Sequence, residues 1–163
     1  MGEVRVELAR ASALSTNMAA AGQRFPIVSV FVDPSRQKGK VVVEDGRNCA
    51  GSLPIDHSVM VGIRTVGERL KEDAAEDADA YLCLDYDVYL THEPCSMCSM
   101  ALVHSRVRRV IFLSQMERTG CLKITSGDGY CMNDNKLLNS KYEGFQWVGE
   151  EYPVGSVDPD VCC

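Results

Sequence analysis

The sequence has no basic excess. Its 163 residues carry 17 Lys and Arg against 23 Asp and Glu, a formal net charge of −6. A free-standing nucleic-acid binder usually shows the opposite balance, so RNA or DNA contact would need a local basic face or a basic partner. The first residues, MGEVRVELAR, hold no apolar stretch of the kind that opens a secretory signal. No apolar run approaches the roughly 20 residues of a membrane-spanning helix. No internal repeat and no low-complexity linker divides the chain. These absences predict one domain over residues 1–163, no membrane association, and a reduced setting in nucleus and cytoplasm. A chain of this length can bury about 70% of its unfolded surface. With 45% hydrophobic and 25% charged residues, wholesale disorder is excluded on composition.

What the sequence does have is cysteine. There are eight: Cys49, Cys83, Cys95, Cys98, Cys121, Cys131, Cys162 and Cys163. In a secreted chain they would read as four disulfides. Without a secretory leader, clustered cysteines point instead to metal or redox chemistry.

The first 22 residues read as an amphipathic helix with Val4, Leu8, Ala11 and Ser15 on one face. Residues 25–32 are a β-branched run, a buried strand. A turn-rich stretch over 33–39 leads to a second strand from Val41, so the two pair as a hairpin. Asp56 is placed to cap a helix from His57, whose stripe is Val59, Ile63, Val66 and Leu70. Residues 71–80 form an acidic end or linker, and Tyr81 to Asp87 is ambiguous. A strand over Val88–Thr91 delivers the chain to Pro94, which suits the first turn of a helix running to about Ser105. That helix carries Met97, Ala101 and His104 on one face. Val107–Leu113 reads as a strand, 120–135 as a long loop, 135–140 as a short helix and 145–148 as an edge strand. Residues 150–163 are an irregular tail. The alternation of strands and helices predicts an α/β sandwich with a mixed sheet, antiparallel in the first hairpin and parallel across the later helices.

The sharpest local pattern is Glu93-Pro94-Cys95-Ser96-Met97-Cys98. Cysteines three apart at a helix start share a face, and the free N–H groups of the first turn favour thiolates. Zinc takes four ligands, or three and a water. His57, at the start of the other central helix, is the natural third. The same C-x-x-C also opens thioredoxin-like redox motifs, but this one lacks the preceding tryptophan and a companion proline. His92 reads as an exposed strand end and His104 as a packed helix residue. Cys49, Cys83, Cys121 and Cys131 read as small buried hydrophobes.

A His at a helix start followed by P-C-x-x-C after a strand resembles the zinc-dependent nucleoside deaminases, whose signature is H-x-E then P-C-x-x-C. Here the place of the glutamate is taken by Val59. The segments FPIVSVFVDPS, IDHSVMVGI, YLCLDYDVYLTHEPCSMCSMALVHSRVRRVIF and TGCLKI resemble more narrowly the non-catalytic subunit of the eukaryotic heterodimeric tRNA adenosine deaminases. That family carries H-x-V-M where the active subunit carries H-x-E. The resemblance covers most of residues 25–125 and is weaker beyond. It implies a cytidine-deaminase-like three-layer α/β sandwich with helices on both faces of a mixed sheet. It also implies zinc on His57, Cys95 and Cys98, and a heterodimer with a catalytic sister subunit held through the helices bearing His57 and Cys95. The activity it implies for the complex is conversion of the wobble adenosine of several tRNAs to inosine.

Valine neither accepts nor donates a proton, so the expectation is a zinc-binding chain that does not turn over alone. Glu93, as a stand-in base, would approach from a different wall. A zinc without chemistry favours four protein ligands, and we expect the tail to fold back so that Cys163, or Cys162, caps the ion. A prenylated double-cysteine tail is the rival reading. Arg106, Arg108 and Arg109, with Lys123 nearby, form one compact basic patch, and Arg36, Lys38 and Lys40 another; either suits phosphate, and the first is the candidate tRNA contact. Two other functions compete: an active cytidine or deoxycytidylate deaminase with a non-standard base, and a zinc-stabilised protein-interaction module.

Overall fold

The structure is a computed structural model that describes residues 2–35, 39–73 and 82–163. Arg36, Lys38, Tyr81 and most of the acidic stretch 71–80 fall outside these ranges. Its elements are α1 (Gly2–Ala20), β1 (Val28–Val32), β2 (Lys40–Glu44), α2 (Ser58–Asp73), β3 (Asp87–His92), α3 (Ser96–His104), β4 (Arg109–Ser114) and β5 (Glu143–Gln146). The sheet order is β2-β1-β3-β4-β5. β1 is antiparallel to both β2 and β3, while β3–β4 and β4–β5 are parallel.

Burial follows position. Central β1 (VSVFV) and β3 are buried at every residue, as expected for strands covered on both faces. Edge strand β2 alternates. On one face, Leu8, Ala11 and Met18 of α1 pack against Val28, Val30, Tyr89 and Ile111. On the other, Val59 and Val66 of α2 and Cys98 and Leu102 of α3 pack against Phe31, Val88 and Phe112. The result is the expected three-layer sandwich. Gly62 permits the close approach of α2: a Cβ there would lie 2.1 Å from Cε2 of Phe31. No helix among the described residues is long and apolar enough to cross a membrane.

Several local expectations change. Asp56 does not cap α2, which begins at Ser58; its carboxylate instead accepts from the Leu53 N–H at 2.8 Å and pairs with Arg64. α3 begins at Ser96, so Cys95 is its N-cap rather than a first-turn residue. No helix forms over 135–140. A 3-10 turn spans Met132–Asp134, and the Asn135 side chain accepts from the Leu137 N–H at 2.9 Å, the local bond by which asparagine competes with helix. The last strand is 143–146. The two histidines exchange roles: His104 is exposed, whereas His92 is 3% exposed, its Nε2 bonded to the Gly155 carbonyl and its Nδ1 to Thr91. Cys83 and Cys121 are buried as expected, but Cys49 is exposed and Cys131 half-buried.

Candidate metal centre

β2 and β3 run in the same direction on either side of antiparallel β1. Their carboxyl ends therefore open on one edge of the sheet. The chain leaving β2 reaches the start of α2 through residues 45–57, and the chain leaving β3 reaches the start of α3 through Glu93 and Pro94. Two helix N-termini thus converge, in the crevice where α/β sheets bind their ligands.

At that crevice His57 Nδ1 lies 3.4 Å from Cys98 Sγ and 3.7 Å from Cys95 Sγ. The three donor atoms lie within 4.8 Å of one another, and all three residues are buried. Cys95 makes no side-chain cap bond to α3; only its carbonyl is used, accepting from the Ser99 N–H at 2.8 Å. Its sulfur is left facing the centre. The hydrogen bond from Cys98 holds the Cys95 thiol down at about 4, against burial, and His57 acts in the same direction. The same exchange, with burial, pushes Cys98 up. Two soft sulfurs and an imidazole, close together, buried and aimed at one point, fit zinc, which prefers S and N donors in a compact tetrahedral set.

A cleft of about 560 Å³ opens over His57 and Cys95, with Met97, Gly120, Tyr130 and Cys162 in its wall. Val59 is 2% exposed and sits in the apolar cluster between the sheet and α2 and α3. Glu93 has no exposed surface. Its Oε1 accepts from the Leu122 and Lys123 N–H groups at 2.8 and 3.1 Å, and its Oε2 from the Met116 N–H and Ser126 Oγ at 3.1 and 2.6 Å. Both oxygens are occupied in pinning the loop that walls the cleft.

The tail does return to this place. The Cys95 N–H donates to the Cys163 carbonyl at 2.8 Å, Thr119 Oγ1 donates to the Val161 carbonyl at 2.8 Å, and Arg118 pairs with Asp160 at 3.0 Å. Cys163 itself is buried, packed with Ile27 and Met116, and its sulfur is not one of the three donor atoms that lie within 4.8 Å of one another. Cys162, exposed, is the tail cysteine that lines the cleft.

The predicted basic patch lies at the opposite end of α3. Arg108 grips the buried Asp87 carboxylate with Nε and Nη2 at 2.9 and 2.7 Å, and Arg109 Nη2 adds a third bond at 2.6 Å. Two of its cations therefore neutralise a carboxylate of β3. Arg106 sits in the intervening turn at φ 58°. Lys123 is held by Gln115 and Gln146, and Lys40 pairs with buried Glu7.

A mixed α/β sheet with a His-Cys-Cys donor set at two converging helix starts defines the deaminase class of metal centre. The family model of the cytidine and deoxycytidylate deaminase zinc-binding region matches residues 4–114, and the chain belongs to that family. Within it, the chain is 78% identical over all 163 residues to the tRNA-specific adenosine deaminase subunit TAD3 of Saccharomyces cerevisiae, covering 51% of that protein. It is 36% identical over 137 residues to subunit tad3 of Schizosaccharomyces pombe, an alignment covering 82% of this chain and 41% of that one. It is 32% identical over 173 residues to the human probable inactive tRNA-specific adenosine deaminase-like protein 3, covering 87% and 46%. The resemblance read from the motifs is thus borne out, and the chain spans about half the length of the curated relatives it matches. A solved structure from work on A-to-I editing by tRNA:A34 deaminases superposes with a TM-score of 0.64 at 21% identity, covering 88% of this chain and 98% of that one. Guanine deaminase of Bacillus subtilis gives 0.53 at 23%, covering 67% and 62%. Both likenesses bear on the fold.

Sequence reasoning missed the work of Glu93 and His92. The demand for Glu93 comes from four donors, on Met116, Leu122, Lys123 and Ser126, more than 20 residues downstream, and no spacing rule reports it. The pairing of Asp45 with Arg47, bonded through Nε and Nη2 at 2.8 Å each beneath the Phe25 ring, was equally silent.

Proposed function

We propose that this chain is the non-catalytic, zinc-holding subunit of a heterodimeric deaminase that converts the wobble adenosine of tRNA to inosine, in the nucleus and cytoplasm. Val59 carries the reading. When bound in such a centre, zinc supplies Lewis-acid activation of water, and the deaminase reaction also needs a glutamate that moves the proton between water and base. A positioned acid–base group contributes about 10²–10⁴-fold. Val59 has no atom that can hold a proton, and its side chain is packed in the core. Glu93 cannot substitute, because all its nearby donors are backbone and serine groups that need it as an acceptor. What remains for His57, Cys95 and Cys98 is to tie the starts of α2 and α3 together, with the ion adding folding free energy.

The net charge of −6 supports a scaffold that meets tRNA through a basic partner. The test is an inosine assay on tRNA with this chain alone, with a candidate catalytic subunit alone, and with both. Inosine should form in the mixture and not with this chain alone; turnover by this chain alone would overturn the proposal. Val59→Glu should restore no turnover and should destabilise the fold, since it places a carboxylate in an apolar cluster. A chelator should lower the melting temperature of the wild-type chain and leave that of His57→Ala unchanged; equal sensitivity of the two would remove the ion from the centre.

A further inference from the structure

Cys95 faces two kinds of sulfur. Cys98 is fully buried on the first turn of α3, 3.4 Å from His57 Nδ1. Cys162 is exposed, lies in the wall of the same cleft, and interacts through its side chain with Cys95. The backbone bond from the Cys95 N–H to the Cys163 carbonyl keeps the two segments side by side. Residue 162 belongs to no helix or strand, so its Cβ can shift toward the 3.5–4.5 Å separation and the roughly 90° torsion that a disulfide requires. Cys98 would have to distort the first turn of a packed helix to do the same.

We propose that Cys95 and Cys162 form a peroxide-sensitive switch, in which oxidation joins them in a disulfide and withdraws Cys95 from the metal centre. The inference rests on the zinc reading for its consequence but not for its chemistry. The Cys95 thiolate attacks hydrogen peroxide, the O–O bond breaks, and Cys95 becomes a sulfenic acid with release of hydroxide. The Cys162 thiol then attacks that sulfur, the S–O bond breaks, and the disulfide forms with loss of water. Two sulfurs lose one electron each and the peroxide gains two. The metal keeps two protein donors, His57 and Cys98, too few for a stable zinc site, and leaves. The cleft supplies the route, since Cys95 lines it and peroxide is small.

The experiment exposes the full chain to hydrogen peroxide, quenches with an alkylating agent, and maps disulfides by peptide mass spectrometry while a colorimetric chelator follows zinc. The expected result is a linked peptide pair containing Cys95 and Cys162, reversed by a dithiol. Cys162→Ser should slow zinc release by about tenfold or more, as loss of a resolving thiol does, and should leave the initial zinc content unchanged. A Cys95–Cys98 link in the wild type, or zinc release from Cys162→Ser at the wild-type rate, would overturn the proposal. A Cys95–Cys162 link in a chain that carries no zinc would leave the switch standing and reject the metal reading instead.

Discussion

Glu93 makes a demanding test of how the cleft is held. Its carboxylate has no exposed surface and receives four donors, three backbone N–H groups and one hydroxyl. Glu93→Gln keeps the shape and removes the charge. One amide oxygen can still serve the two donors on one side. The new NH₂ takes the side of Met116 and Ser126, where the hydroxyl can turn to accept from it, so the buried Met116 N–H alone loses its acceptor and the other three bonds lose their charge. The bond lost outright is worth about 1.5–3 kcal/mol and the other three weaken by about 0.5–1 kcal/mol each on going from charged to neutral, so the loss comes to about 3–6 kcal/mol. That is a large share of the roughly 5–15 kcal/mol that holds a domain of this size. At about 2–4 °C per kcal/mol for chains of 150–250 residues, the melting temperature should fall by about 10 °C. Urea titrations followed by circular dichroism give the free energy. Hydrogen exchange should show the amides of Met116, Leu122 and Lys123 losing protection first. Gly120→Ala attacks the same contact from the loop side, since its Cβ would lie 2.3 Å from Glu93 Oε2. The two substitutions should be strongly non-additive. A loss under about 1 kcal/mol for Glu93→Gln, or simple additivity with Gly120→Ala, would refute the reasoning.

Burial pushes the His92 imidazole down to about 4 from an unfolded value near 6.5. The unfolded chain therefore binds the extra proton first, and the stability due to neutral His92 is full above pH 6.5 and drains away as pH falls toward 4. The total is about 3 kcal/mol; His92→Gln should flatten that limb of a urea-midpoint profile, and a profile unchanged by the substitution would contradict it. Gly62→Ala drives a methyl into the Phe31 ring and should cost about 1–3 kcal/mol by overpacking. Phe31→Leu should recover part of the loss in the double variant, whereas a neutral Gly62→Ala would mean that α2 stands further from the sheet.

Much of the site was legible because its chemistry is local in the chain. Cys95 and Cys98 are three residues apart beside a proline, and a strand before them and a helix after them follow from periodicity. His57 was found because a histidine at a helix start is one of few partners that complete the set. The stripe Val59, Ile63, Val66 and Leu70 packs as its 3.6-residue period requires. Boundaries were less legible. Asp56 looked like a cap, but a tight turn over 53–56 offered its carboxylate a nearer donor, and nothing in the residue types ranks the two uses. His92 and His104 were exchanged because one exposure depends on the segment around Gly155, 63 residues away, and the other on which side of α3 lies against the sheet.

The sequence by itself determined the alternation of elements, the donor types at the metal centre, and the absence of a proton-carrying side chain at position 59. These depend on residue identity and short-range spacing, which folding does not alter. Only the tertiary structure decided that β2 and β3 end on the same edge, because that follows from both pairing antiparallel with β1. It also decided that Glu93 anchors the loop that walls the cleft, that Asp87 takes up two of the three clustered arginines, and that Cys162 rather than Cys163 lines the cleft. Each of these turns on which distant group competes for a side chain, and that competition exists only once the chain has brought the groups together.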